Sequence, residues 1–220
     1  ARARTERLQA ATAAISRAAT PEDVARVATA QIVAALGAQG VVGASLAVLE
    51  PDGATLRLLA ASEHPDGIQA AWSTFPLATD APIAVATRTG RMVEAWGAGS
   101  GAGAIYPRWA HMRPVFDAIG LRAFVTLPLL RPDDAGGTAA ASAGARVATG
   151  AGDVLPPVPG SPAFGAMAVL FGPGADAAGL DEAARAMLDA LAQLTAQALA
   201  RAELLAAARH ARAEAERERE

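Results

Sequence analysis

The sequence predicts an α+β fold: a central antiparallel sheet of five or six strands, helices on its faces, and long helices at both ends. Three observations carry that expectation. Short apolar runs bounded by Gly and Pro alternate with stretches of helical periodicity. Two of those runs flank Pro51-Asp52-Gly53, where Pro sets the first turn angle and Gly supplies positive φ, the signature of an antiparallel hairpin. From Leu180 the chain runs to its last residue without a Gly or Pro, which predicts one long exit helix. Helices placed at the ends and between antiparallel strands make an α+β layout.

In chain order, Leu8, Ala11, Ile15 and Ala18 form a narrow seam on a first helix, from about Ala3 to Ala19. Thr20-Pro21-Glu22-Asp23 then reads as a cap, a Pro at the first helical position and acidic residues in the first turn. The second helix turns Val24, Val27, Ala28, Ile32, Val33 and Leu36 inward and ends at Gly37. Val41 to Glu50 and Ala54 to Ser62 are the hairpin strands. Ile68 to Trp72 is a short helical piece, and Phe75-Pro76-Leu77, which contains Pro, suits a sheet edge. Pro82 to Thr89 is a helix ended by Gly90, and Arg91 to Trp96 a strand. Gly97 to Ala104 is a Gly-rich loop. Trp109, Met112, Phe116 and Ile119 have helical spacing, broken or kinked at Pro114 and closed at Gly120. Leu121 to Leu130 and Ala163 to Gly172 are the most apolar strand candidates and belong centrally in the sheet.

Between them, residues 131–162 are rich in Gly, Ala, Ser and Pro and read as a flexible insertion, with too little apolar surface to offset the entropy of ordering. Asp181 caps the exit helix, and Ala184, Leu188, Leu191, Thr195, Ala198, Ala202 and Leu205 recur at spacings of four and three, widened by Met187, Leu194 and Leu199. After Ala208 the helix is polar all round, a connector that pairs with a copy of itself or is solvated. Leu191 and Leu205 are the positions at which a Glu is expected to weaken such pairing. The chain starts without Met and stops inside a helix, so it reads as a segment of a longer protein.

Composition removes several functions. The 220 residues contain no Cys, Lys or Asn. Disulfides, thiolate zinc sites, cysteine nucleophiles, Schiff bases and the P-loop or kinase lysine are therefore excluded. A net charge of -3 offers no general attraction to nucleic acid or anionic membrane. No apolar run approaches the ~20 residues that span a bilayer, and the start lacks the apolar core of a signal peptide. The expected compartment is the cytoplasm.

Three stretches resemble a GAF domain: Leu77 to Val93, Leu121 to Leu129, and Gly165 to Phe171 followed by Leu180 and Leu188 to Leu199. Together they span most of Thr20 to Arg201. The resemblance implies a non-catalytic sensory or regulatory domain over residues 20–201, between a connector helix at 1–19 and a connector or coiled-coil helix at 202–220. It also implies a bacterial signalling protein, a homodimer through the terminal helices, and a phosphatase or histidine kinase output domain beyond the C-terminus. The cyclic-nucleotide signature of some members needs an Asn and a Lys, and the bilin of others needs a Cys. Neither ligand is expected here, nor any other cofactor.

The expected ligand is a small molecule, held where mobile segments cover the sheet. Its candidate contacts are Trp72, Phe75, Trp96, Tyr106, Trp109, His111, Arg113 and Phe116, an aromatic set with a few polar groups. The alternative is that Trp109 and Phe116 are core while His111 and Arg113 are solvated, and that the domain is a ligand-free dimerisation module. A hydrolase triad of Ser100, His111 and Asp117 lacks the Gly-x-Ser-x-Gly elbow. The three His residues, at 64, 111 and 210, have no ligand spacing, so no metal site is expected.

Overall fold

A computed structural model of the chain describes residues 2–62, 66–96, 109–131, 147–148, 163–173, 175 and 179–218. Two helices lead, α1 (Arg2–Arg17) and α2 (Pro21–Leu36). The Thr20 hydroxyl accepts from the Asp23 N–H at 3.1 Å, and Pro21 opens the helix, so α2 starts where the capping residues place it. Strands β1 (Val41–Leu49) and β2 (Thr55–Ser62) form the hairpin. In its turn Gly53 sits at φ 67°, and the Asp52 carboxylate accepts from the backbone N–H groups of Ala54 and Thr55 at 2.8 and 2.9 Å.

Next come α3 (Asp66–Ala71), β3 (Thr74–Pro76), α4 (Pro82–Thr89) and β4 (Val93–Trp96). A 3₁₀ turn at Ala110–Met112 runs into α5 (Arg113–Ala118), with Pro114 in the first turn of the helix, where its missing N–H costs nothing. Strands β5 (Ala123–Leu130), β6 (Val147–Ala148) and β7 (Ala163–Phe171) precede α6 (Glu182–Arg217).

The sheet order is β3-β2-β1-β7-β5-β4-β6. Six strands pair antiparallel, as the sequence leads one to expect. The seventh, two-residue β6, adds in parallel to β4. It lies within the segment read as a flexible insertion, most of which is outside the described residues. All nine residues of β7 are buried, because this strand is covered on both faces and its side chains have no solvent side.

Alternation splits the core in two. On one face Leu46, Val48, Val125, Leu127, Met167, Val169 and Phe171 meet α2 and α6, and the second half of α1 adds Ala11 and Ile15. On the other face Ala47, Phe124, Ala166, Ala168 and Leu170 meet α4 and the segment around α5. The β1–β7 contact is tight at Gly165, where an added Cβ would run into the carbonyl oxygen of Ala47. Gly165→Ala is expected to cost about 1–3 kcal/mol, as overpacking does, read as a lower midpoint in thermal melts. An unchanged midpoint would mean that β1 yields at this point.

Helix α6 is unbroken for 36 residues, about 54 Å at ~1.5 Å per residue. The Asp181 carboxylate accepts from the Ala184 N–H at 2.6 Å, which sets its start. Its stripe is buried from Ala184 to Ala202, and every described residue from Glu203 onward is exposed. Leu191 is therefore a core position, not an interface one. A Glu there would disrupt the packing on the sheet before it reported on pairing. Leu205, 43% exposed, is the position left to test.

Candidate ligand-binding cavity

Pairing across the sheet determines the floor of a cavity. Ala61 lies opposite Ser45, Ser45 opposite Ala168, and Ala168 opposite Thr126. Facing residues on neighbouring strands share a face, so four small side chains lie in one row across β2, β1, β7 and β5. Flanking rows carry Leu58, Leu170 and Phe124, and these rise as walls around the depression.

The roof comes from elements that cannot reach so far down. Ala81, Pro82 and Ile83 at the start of α4 cover one side, Met112, Val115, Phe116 and Ile119 another, and Gln69, Trp72 and Phe75 a third. What remains between them is a cavity of about 100 Å³. Room for one water needs ~10–15 Å³ on this measure, so the space is of small-molecule size.

Its chemistry is narrow. Among the described residues that line it none is charged, and only Ser45, Gln69 and Thr126 are polar. The aromatic rings are mutually braced. Trp72 meets Phe75 edge-on at 5.2 Å, and Phe124 contacts Trp109 at 5.1 Å and Phe116 at 6.0 Å. Among the described lining residues the strongest nucleophiles are the hydroxyls of Ser45 and Thr126.

The aromatic candidates from the sequence divide. Trp72, Phe75 and Phe116 line the cavity. Trp109 is fully buried behind Phe124 and braces it. Trp96 lies on the opposite face, 4.9 Å from Phe171, because its strand position alternates away from the cavity. Tyr106 is outside the described residues.

The polar candidates sit outside the cavity. His111 is exposed, with its Nε2 3.0 Å from the carbonyl oxygen of Asp80. Arg113 is exposed too and pairs with Asp117 at 3.4 Å. That pairing occupies the carboxylate a triad would need, and Ser100 and His64 are outside the described residues. Ser45, Gln69 and Thr126 escaped sequence reasoning. The available signals are a Ser inside the apolar run Val41 to Leu49 and a Thr inside the apolar run Leu121 to Leu130.

A polar cluster on the far face joins the sheet to α6. Arg185 donates through Nη1 to both Glu94 carboxylate oxygens, at 3.2 and 3.1 Å, and through Nε to the Leu180 carbonyl at 3.1 Å. The Trp96 indole N–H donates to Glu94 at 3.2 Å. Both ionic side chains are mostly buried, 12% exposed for Glu94 and 18% for Arg185. One turn along, burial pushes the Asp189 carboxyl up while Arg185 pulls it down, and burial wins. No group of three or more potential metal ligands occurs among the described residues, and none of their helices is long and apolar enough to cross a membrane.

No protein-family model matches the chain, and no curated protein sequence does. Its shape is similar to that of several solved structures. One is the GAF domain of a phosphoenolpyruvate-protein phosphotransferase from Coxiella burnetii, 12% identical, covering 93% of this chain and 96% of that one, with a TM-score of 0.62. A second is a methyl-accepting chemotaxis protein, residues 122 to 287, 15% identical, with coverage of 89% and 98% and a TM-score of 0.56. A third is the free methionine-R-sulfoxide reductase from Neisseria meningitidis in complex with its substrate, 12% identical, with coverage of 91% and 90% and a TM-score of 0.58. At these identities the likeness establishes the fold.

Proposed function

Taking as premise that this chain has the GAF fold, we propose that it is a non-catalytic sensory or regulatory domain. It binds a small molecule in the cavity and passes its state through α6 to an output domain. The observation that carries this reading is that cavity and helix share strands. Thr126 and Ala168 face the cavity, while Val125, Leu127, Met167 and Val169 beside them face the α6 side of the sheet. Thr126 also pairs with Val93, and the next residue, Glu94, holds Arg185 at the start of α6. A ligand that favours one arrangement of the floor would bias the helix through these contacts.

The fold alone does not decide activity, since one similar structure is that of a reductase. What supports a binding role is a cavity with no charged side chain among its described lining residues. In this reading the protein is cytoplasmic, forms a homodimer through its terminal helices and needs no cofactor. A phosphatase or kinase output domain of a bacterial signalling protein fits the same reading. The test joins a thermal-shift screen of small molecules to pulsed electron paramagnetic resonance between spin labels on the exposed end of α6. Ligands that raise the melting temperature should also change the label separation. Binding with an unchanged separation would end the transmission idea.

A ligand-free pairing module is the second reading, favoured by Leu204 and Leu205, 72% and 43% exposed on α6 beyond the body. Both readings expect Leu205→Glu to weaken self-association by roughly tenfold or more, because a buried unpaired carboxylate costs several kcal/mol. Sedimentation giving the same association constant for parent and variant would remove this stretch from the interface.

A further inference from the structure

We infer that the cavity takes an uncharged molecule about the size of a single aromatic ring, whose one hydrogen-bonding group meets the Thr126 hydroxyl. This rests on the proposed reading of the chain as a ligand-binding domain. Volume sets the size. A cavity of about 100 Å³ is somewhat smaller than the ~150 Å³ apolar cavity known to hold benzene, so one ring fits with slight adjustment and a nucleotide does not. The walls set the charge. A carboxylate or ammonium group would lose its hydration among Trp72, Phe75, Phe116 and Phe124 and find no counter-charge among the described lining residues.

The hydroxyl sets the polar group. Buried Thr29, Thr87, Thr89 and Thr195 each donate to a carbonyl four residues back in their helices. Thr126 stands on a strand and has no such carbonyl. It is fully buried, lines the cavity, and its Oγ1 has no hydrogen-bond partner among the described residues. A buried hydroxyl left in this state is a destabilising arrangement, and a ligand hydroxyl or carbonyl seated on the floor relieves it.

The test is calorimetric titration of the whole chain with toluene, phenol and benzoate, which differ in polarity and charge at nearly constant shape. Phenol should bind more tightly than toluene, and benzoate should show no heat at concentrations where phenol saturates. Thr126→Val, close to isosteric, should weaken phenol about fivefold, the loss expected of one neutral hydrogen bond. It should leave toluene unchanged, while Thr126→Ser retains phenol affinity. Without ligand, Thr126→Val should melt no lower than the parent, which shows that the variant folds.

Phenol affinity unchanged in Thr126→Val, or benzoate binding as tightly as phenol, overturns the inference. Should the melting screen yield only charged or much larger ligands, the inference falls and the sensory reading stands. If no compound of any kind shifts the melt, the sensory reading falls first.

Discussion

Phe124→Ala is expected to lower the stability of the folded chain by about 3–5 kcal/mol, the range for removing a buried ring. Phe124 is 1% exposed, stands on β5 in the wall of the cavity, and touches both Trp109 and Phe116. Its loss leaves two aromatic side chains without the surface they pack on, and Trp109, itself fully buried, cannot move out to follow. Thermal or chemical denaturation of parent and variant gives the number. A loss below about 1 kcal/mol would mean that α5 collapses into the gap, since the cost of such a change depends on how far the site relaxes. Ring-sized apolar probes should also bind the variant more readily, because the truncation widens the cavity from its wall.

Arg185→Ala should be nearly as damaging, about 2–4 kcal/mol, for an electrostatic reason. The substitution strands Glu94, a mostly buried carboxylate, and the usual cost of breaking a fully buried pair in this way is ~3–5 kcal/mol. Slight exposure of both partners, 12% and 18%, lets water offset part of it. The substitution also removes the cation that opposes burial of Asp189. Glu94→Gln combined with Arg185→Met should recover much of the loss, because no unpaired charge is then left behind. A double-mutant cycle measures the coupling directly. A coupling energy near zero would show that the pair neither holds β4 to α6 nor carries information between them. If the pair does transmit, the double variant should still bind ligand yet no longer change the separation of the outer ends of α6.

Much of the fold was legible because its signals are local. The Thr20 and Asp181 caps, the positive-φ glycine at 53 and the alternation in β5 and β7 depend on residues within a few positions of one another. The site was legible only in part. Trp72, Phe75 and Phe116 could be nominated as aromatic residues near a covering segment. Trp96 falls on the other face, beside Phe171, because one step along a strand reverses the face, and no single-sequence pattern says which face of β4 meets the cavity. His111 and Arg113 have the chemistry of binding groups, yet both are exposed, His111 beside the Asp80 carbonyl and Arg113 paired with Asp117. The residues that build the floor are too ordinary to attract notice: Ala61, Ser45 and Ala168 matter because they are small and adjacent, yet Ala168 lies more than a hundred positions from the other two.

The sequence by itself determined the α+β composition, the start and unbroken length of α6, and the exclusion of every chemistry that needs Cys or Lys. Those outcomes follow from propensity, capping and the inventory of functional groups, none of which depends on distant contacts. Only the tertiary structure decided that Leu191 is core while Leu205 is not, that a row of small side chains opens a cavity, and that the Thr126 hydroxyl inside it has no partner among the described residues. Each depends on register between strands far apart in the chain and on what packs above them.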